Sequence, residues 1–108
     1  MKIYLTAAGL LLSLCLYAQT GAVNAKFKVQ GQCEMCKSNI ENSLKVTGVE
    51  AAIWNPDNKT LRIKYHPDII TLDSIHHRIA LAGYDTDKEK APDSLYQKLV
   101  KCCQYRKP

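Results

Sequence analysis

A chain of 108 residues has room for one small domain. Its 15 Lys and Arg against 10 Asp and Glu are scattered and interleaved, with no aromatic-rich basic face, so the composition argues against a nucleic-acid binder. No Ser-His-Asp set, paired-carboxylate site or phosphate-binding loop is evident, which leaves hydrolase and transferase readings without support and makes a non-enzyme the expectation.

Met1-Lys2 gives a short positive start, and Ile3 to Tyr17 is an apolar run too short for a comfortable membrane span. This three-part grammar reads as a secretory signal peptide over 1–18, with cleavage expected after Ala18 and with Ala22 and Ala25 as alternatives. Periplasm or cell envelope is the expected location. Cys15 raises a lipoprotein reading, but Leu14 stands before it where a small residue is expected. Removal of this segment takes Cys15 and Lys2 with it. The mature chain keeps Cys33, Cys36, Cys102 and Cys103, and 14 basic residues against 10 acidic ones. Residues 19–25 read as a short linker.

Phe27 and Val29 alternate with Lys26, Lys28 and Gln30, the period of a half-buried strand, and Gly31 ends the run. Cys36, Ile40 and Leu44 then fall on one helix face, which Gly48 closes. The pair Cys33-x-x-Cys36 thus sits at the seam between strand and helix. Free amides and the positive dipole end of a helix favour thiolate over thiol there. Such a corner suits either a soft metal ion or dithiol redox exchange.

Val49 to Asn55 is strand-like, with Val49, Ala51 and Ile53 on one face and Trp54 as a further sheet residue. Asn55 to Lys59 is a turn cluster, and Thr60 to Tyr65 alternates again, completing a hairpin. Thr71 can cap a second helix whose buried stripe is Leu72, Ile75, Ile79 and Ala82. Gly83 ends it, and Tyr84 to Asp87 reads as a last short strand. The order predicts an α+β ferredoxin-like βαββαβ sandwich over 26–90: a four-stranded antiparallel sheet with two helices on one face. Its expected core is Phe27, Val29, Ile40, Leu44, Val49, Ile53, Leu61, Ile63, Ile75 and Ile79. Residues 91–108 read as a C-terminal helical tail that starts at Pro92-Asp93. Leu95, Leu99 and Cys102 would share one face of it, and Tyr96, Val100 and Cys103 an adjacent one.

Gly31-Gln32-Cys33-Glu34-Met35-Cys36, the helix after it, Gly48-Val49, the hairpin and Ala82-Gly83-Tyr84 together resemble the heavy-metal-associated domain. That family includes copper chaperones, modules of copper-exporting ATPases and the periplasmic mercury-binding protein. The resemblance implies that Cys33 and Cys36 bind a soft ion as thiolates, Cu(I) first, in linear two-coordinate geometry, with Hg(II), Zn(II) or Cd(II) as alternatives. It implies a metal donor or acceptor protein as partner, such as a metal-transporting membrane protein. The protein itself would be a monomer, or a dimer bridged through a shared ion. Gln32 stands where the family commonly has Met, and Met35 between the cysteines reads as a loop or core side chain ahead of a third ligand. If the tail docks, Cys102 and Cys103 become candidate additional ligands, and three or four thiolates would suit Cu(I) clusters, Zn(II) or Cd(II). His66, His76 and His77 are expected in surface or capping roles, and Tyr84 is expected in the core near the metal loop. The rival readings are a thiol–disulfide redox protein and a disulfide-stapled domain. The first is opposed by Gln32, where thioredoxin-like proteins carry an aromatic residue. The second is opposed by the clustering of the four cysteines as two tight pairs.

Overall fold

The computed structural model describes residues 21–107. The expected export segment over 1–18, and Cys15 with it, lies outside the described residues. Among the described residues no helix is long and apolar enough to cross a membrane.

Strands β1 (Val23–Lys28), β2 (Val49–Trp54) and β3 (Thr60–Tyr65) form an antiparallel sheet in the order β1-β3-β2. Helix α1 (Glu34–Ser43) connects β1 to β2, and helix α2 (Leu72–Leu81) follows β3. Pairing of Val23, Asn24 and Ala25 with Tyr65, Lys64 and Ile63 extends β1 into the segment expected as a linker. The turn at 55–59 forms as expected. Asn55 and Asn58 side chains accept from the Asp57 and Thr60 amides at 2.8 and 3.0 Å, and Lys59 takes the positive φ of 61° that closes the turn.

Two local expectations about the sheet fail for physical reasons. The first concerns β2. Val49 faces Tyr65 and Ala51 faces Lys64, so Glu50 is an extra residue in a bulge. One inserted residue moves the following side chains to the opposite face. Ala52 and Trp54 therefore point inward, while Ile53, expected in the core, is 60% exposed. The second concerns the last strand. Tyr84 to Asp87 contributes a single bridge, Val29 to Thr86, and no fourth strand forms among the described residues. An amide it would need is engaged elsewhere: that of Asp85 donates to the Tyr105 hydroxyl at 2.8 Å.

Thr71 caps α2 as expected, accepting from the Ser74 amide at 3.1 Å. The helix ends in a Schellman arrangement, with Gly83 N donating to Ala80 O at 3.0 Å and Tyr84 N to Ile79 O at 3.2 Å. That ending requires the left-handed backbone of Gly83, whose φ is 105°. A Cβ there would also sit 2.9 Å from Leu99 Cδ2, so the same glycine admits the tail.

The core lies between the sheet and the helices. Phe27, Val29, Ile40, Leu44, Leu61, Ile63, Ile75 and Ile79 are buried as expected. Trp54, Tyr84, Cys36 and Cys103 join them with no exposed surface. His76, expected in a surface or capping role, is instead a core residue. Its ring stacks on Phe27 at 3.9 Å between centroids, its Nδ1 bonds Thr86 Oγ1 at 2.6 Å, and burial lowers its pKa. His77 stays exposed and pairs with Glu89 at 2.7 Å.

The tail is not one helix. Asp93–Tyr96 forms a single turn, α3, and Lys101–Cys103 a 3-10 turn. Extended backbone at Val100 (φ −60°, ψ 154°) separates them. The helical faces expected for Cys102 and Cys103 therefore do not exist. Cys103 turns into the core and Cys102 stays exposed.

Candidate metal site

The site is built on the turn between β1 and α1. Cys33 is the N-cap residue of α1, in extended conformation, and Cys36 lies one turn into the helix. Trp54 is the floor beneath them. Its indole Nε1 donates to Val29 O at 3.0 Å, and its ring lies so close to Gly31 that a Cβ there would meet Trp54 Cη2 at 2.9 Å. Only glycine lets the backbone pass over the indole at this point. Helix α1 fastens the end of β2 on the same side. Glu41 accepts from the Trp54 amide at 2.9 Å and pairs with Lys37, which donates to Trp54 O at 3.1 Å.

The tail closes the site from the other side. The Tyr105 hydroxyl donates to Gly83 O at 2.9 Å and accepts from the Asp85 amide. Arg106 grips Asp85 through Nε and Nη2 at 3.1 and 2.7 Å, Asp93 through Nη1 at 2.8 Å, and the Ala91 carbonyl at 2.7 Å. Its guanidinium lies over the Tyr96 ring, 4.4 Å from the centroid. A two-point grip on a half-buried carboxylate is the strong form of ion pair. Accordingly the Asp85 carboxyl is held below its usual range although burial opposes this. This clamp sets Cys102 and Cys103 against the first pair.

Four thiols, all free, therefore gather at one place. The Cys33 sulfur lies 3.5 Å from that of Cys36, 3.4 Å from that of Cys102 and 3.8 Å from that of Cys103. The Cys36 and Cys103 sulfurs are 2.7 Å apart. Cys33, Cys36 and Cys103 have the spacing of a metal-ligand group. No carboxylate or imidazole belongs to it, and an all-sulfur set fits soft ions such as Cu(I) and Zn(II) over Mg(II) or Ca(II). The three histidines are not in the group, and Met35 is half exposed at the start of α1.

The environment separates the thiols by acidity. The Cys36 backbone amide lies close enough to the Cys33 sulfur to favour its thiolate, though it does not complete a cap hydrogen bond. Together with hydrogen bonds from the other three thiols, it brings Cys33 down from 9.0 to about 7, against some opposition from burial. Burial pushes the Cys103 thiol well up, and its contact with Cys36 pushes it further. The Cys102 thiol is also raised, chiefly because it hydrogen-bonds the Cys33 sulfur as donor once Cys33 ionises. Cys33 is thus the thiolate present near neutral pH. The expected result in the reduced protein is that iodoacetamide alkylates Cys33 first, with a rate that rises with pH through a midpoint near 7. Peptide mapping of partly alkylated samples checks it. A midpoint for Cys33 at the ordinary thiol value of about 8.5 would contradict it.

Sequence reasoning placed Cys33 and Cys36 at the corner but missed three supports. Trp54 is more than the sheet residue its strand implies, and a single Trp at the end of an alternating strand near a glycine turn is a usable signal. Asn39, which donates to the Tyr84 hydroxyl at 2.9 Å, carries no such signal. Nor does Arg106, whose partner Asp85 lies 21 residues away.

Comparison with known proteins agrees with this architecture. The copper chaperone CopZ of Staphylococcus epidermidis is 35% identical over 60 residues, which cover 54% of this chain and 88% of that protein. Among solved structures, a CopZ metallochaperone superposes with a TM-score of 0.57 at 27% identity, over 59% of this chain and 98% of that one. A putative copper-ion-binding protein from Bacillus anthracis gives a TM-score of 0.59 at 27% identity, over 64% of this chain and all of that one. The N-terminal domain of a potential copper-translocating P-type ATPase from Bacillus subtilis, in its Cu(I)-loaded state, gives 0.57 at 27%, over 60% and 84%. The heavy-metal-associated domain pattern matches residues 26–85, and the chain belongs to that family.

Proposed function

We propose that this protein is an exported copper-binding metallochaperone. It captures Cu(I) through Cys33 and Cys36 and hands the ion to a thiol-bearing acceptor, such as a metal-transporting membrane protein, without releasing it. The observation that carries this reading is the pair of sulfurs 3.5 Å apart at a domain corner, one half-buried and thiolate-prone, the other fixed inside the helix. The copper chaperone and the Cu(I)-loaded ATPase domain among its relatives support copper as the cargo and a transporter as the acceptor. Hg(II), Zn(II) and Cd(II) are the other soft ions a thiolate corner accepts. The apolar run near the N-terminus supports export to the periplasm or cell envelope.

Transfer is a ligand exchange with no change of oxidation state. An acceptor thiolate bonds to the ion, the more exposed Cys33 sulfur leaves, and Cys36 follows when a second acceptor sulfur bonds. The test is to mix the Cu(I)-loaded protein with the metal-free N-terminal domain of a copper-translocating ATPase and separate the two. Copper is expected to appear on the acceptor even with a Cu(I) chelator in solution that would intercept free ion. Copper that reaches the acceptor only when no chelator is present would contradict direct hand-over.

A further inference from the structure

The family match ends at residue 85, so the tail that delivers Cys103 lies beyond it. Resting on the functional reading above, we infer that Cys103 is a third sulfur ligand, so that the ion bound by this chain sits among Cys33, Cys36 and Cys103 in a three-coordinate site. Cys102 stays outside it as a free thiol at the mouth.

Geometry carries the inference. With metal–sulfur bonds of about 2.3 Å, a linear two-sulfur site holds its sulfurs about 4.6 Å apart, and a planar three-sulfur site about 4.0 Å apart. The observed separations are 3.5 Å for Cys33 and Cys36, 3.8 Å for Cys33 and Cys103, and 2.7 Å for Cys36 and Cys103. Two of the three are within about half an ångström of the three-sulfur spacing, and the Cys36–Cys103 pair would open by about 1.3 Å to reach it. The first pair would have to open by about 1.1 Å to become linear, twice what the three-sulfur spacing asks of it. A purely two-coordinate ion would leave a buried third sulfur against it without a bond.

Cys103 is held there by more than its own packing. It has no exposed surface and lies in the same buried cluster as Tyr84 on the domain side. Two and three residues beyond it, Tyr105 and Arg106 bind the 83–85 segment and the Ala91 carbonyl. Cys102, one residue before it, is exposed and reaches only Cys33 by its sulfur. The adjacent cysteines are therefore not equivalent. On binding, Cys103 gives its proton to solvent and a sulfur lone pair to the ion, and no electron moves. A third bond slows loss of the ion to solvent until an acceptor thiolate displaces one of the three sulfurs.

The test is X-ray absorption at the copper edge on the reduced, monomeric protein loaded with one equivalent of Cu(I). Three sulfur neighbours are expected in the wild type and in Cys102→Ser, and two in Cys103→Ala. Two sulfurs in the wild type, two in Cys102→Ser, or three in Cys103→Ala would each overturn the inference. Cys102 is exposed, so its variant and the wild type decide the matter even if Cys103→Ala does not fold. Failure of the wild type to take up Cu(I) would overturn the functional reading and this inference together. Uptake with two sulfurs would overturn this inference alone.

Discussion

The double variant Cys33→Ser/Cys36→Ser is expected to bind Cu(I) at least ~100-fold more weakly than the wild type while remaining folded. Loss of a group that merely orients a metal ligand already costs about 10–100-fold in affinity, and here two ligands themselves are removed. A serine hydroxyl is a hard donor with almost no affinity for Cu(I) at neutral pH, so it does not substitute. Cys102 and Cys103 cannot replace the corner, because only Cys103 reaches its interior. The structural cost stays small by comparison. Cys33 is half-buried, and the fully buried Cys36 exchanges one small side chain for another, at roughly 1–3 kcal/mol for a hydroxyl without a good partner. Competition against a Cu(I) chelator measures the affinity, and far-UV circular dichroism checks the fold. Unchanged affinity in a folded variant would remove both cysteines from the site.

Trp54→Ala is expected to destabilise the metal-free protein by about 3–5 kcal/mol, the range for truncating a large buried aromatic side chain. The indole is fully buried and packs against the Gly31 turn. Its removal opens a cavity under the metal loop and leaves the Val29 carbonyl without its 3.0 Å donor. A small domain has little stability to lose, so this one change can approach its whole margin. Urea unfolding of the reduced protein measures the cost, and a loss under about 1 kcal/mol would show that Trp54 is not the floor of the site. Ile53→Ala, one residue earlier and exposed, is the matched control.

That pair of neighbours shows what the sequence could and could not reveal. Alternation in VEAAIW identified a strand, but the face it buries depends on the bulge at Glu50, which no local pattern announces. The apolar alternation of β1 and β3 and the stripe of α2 were legible because each repeats without interruption. The expected fourth strand failed through a long-range event. Tyr105 takes the Asp85 amide, from 20 residues away. For the site, Cys33 and Cys36 were legible because their spacing and the strand-to-helix seam are local. That the tail thiols also reach the corner depends on Arg106, Tyr105 and the opening at Gly83, side-chain contacts between segments that no periodicity connects. His76, expected in a surface or capping role, adjoins His77 in the helix, and the step of about 100° between neighbours sends one ring onto Phe27 and the other toward Glu89.

Uptake of Cu(I) by the gathered thiols is tested by titrating the fully reduced protein with Cu(I) held by a competing chelator, with free thiols counted before and after. One Cu(I) per chain is expected to be drawn from the chelator, with Cys33 and Cys36 withdrawn from the count of reactive thiols. A protein that keeps all its thiols reduced and reactive, and draws no copper from the chelator, would contradict it.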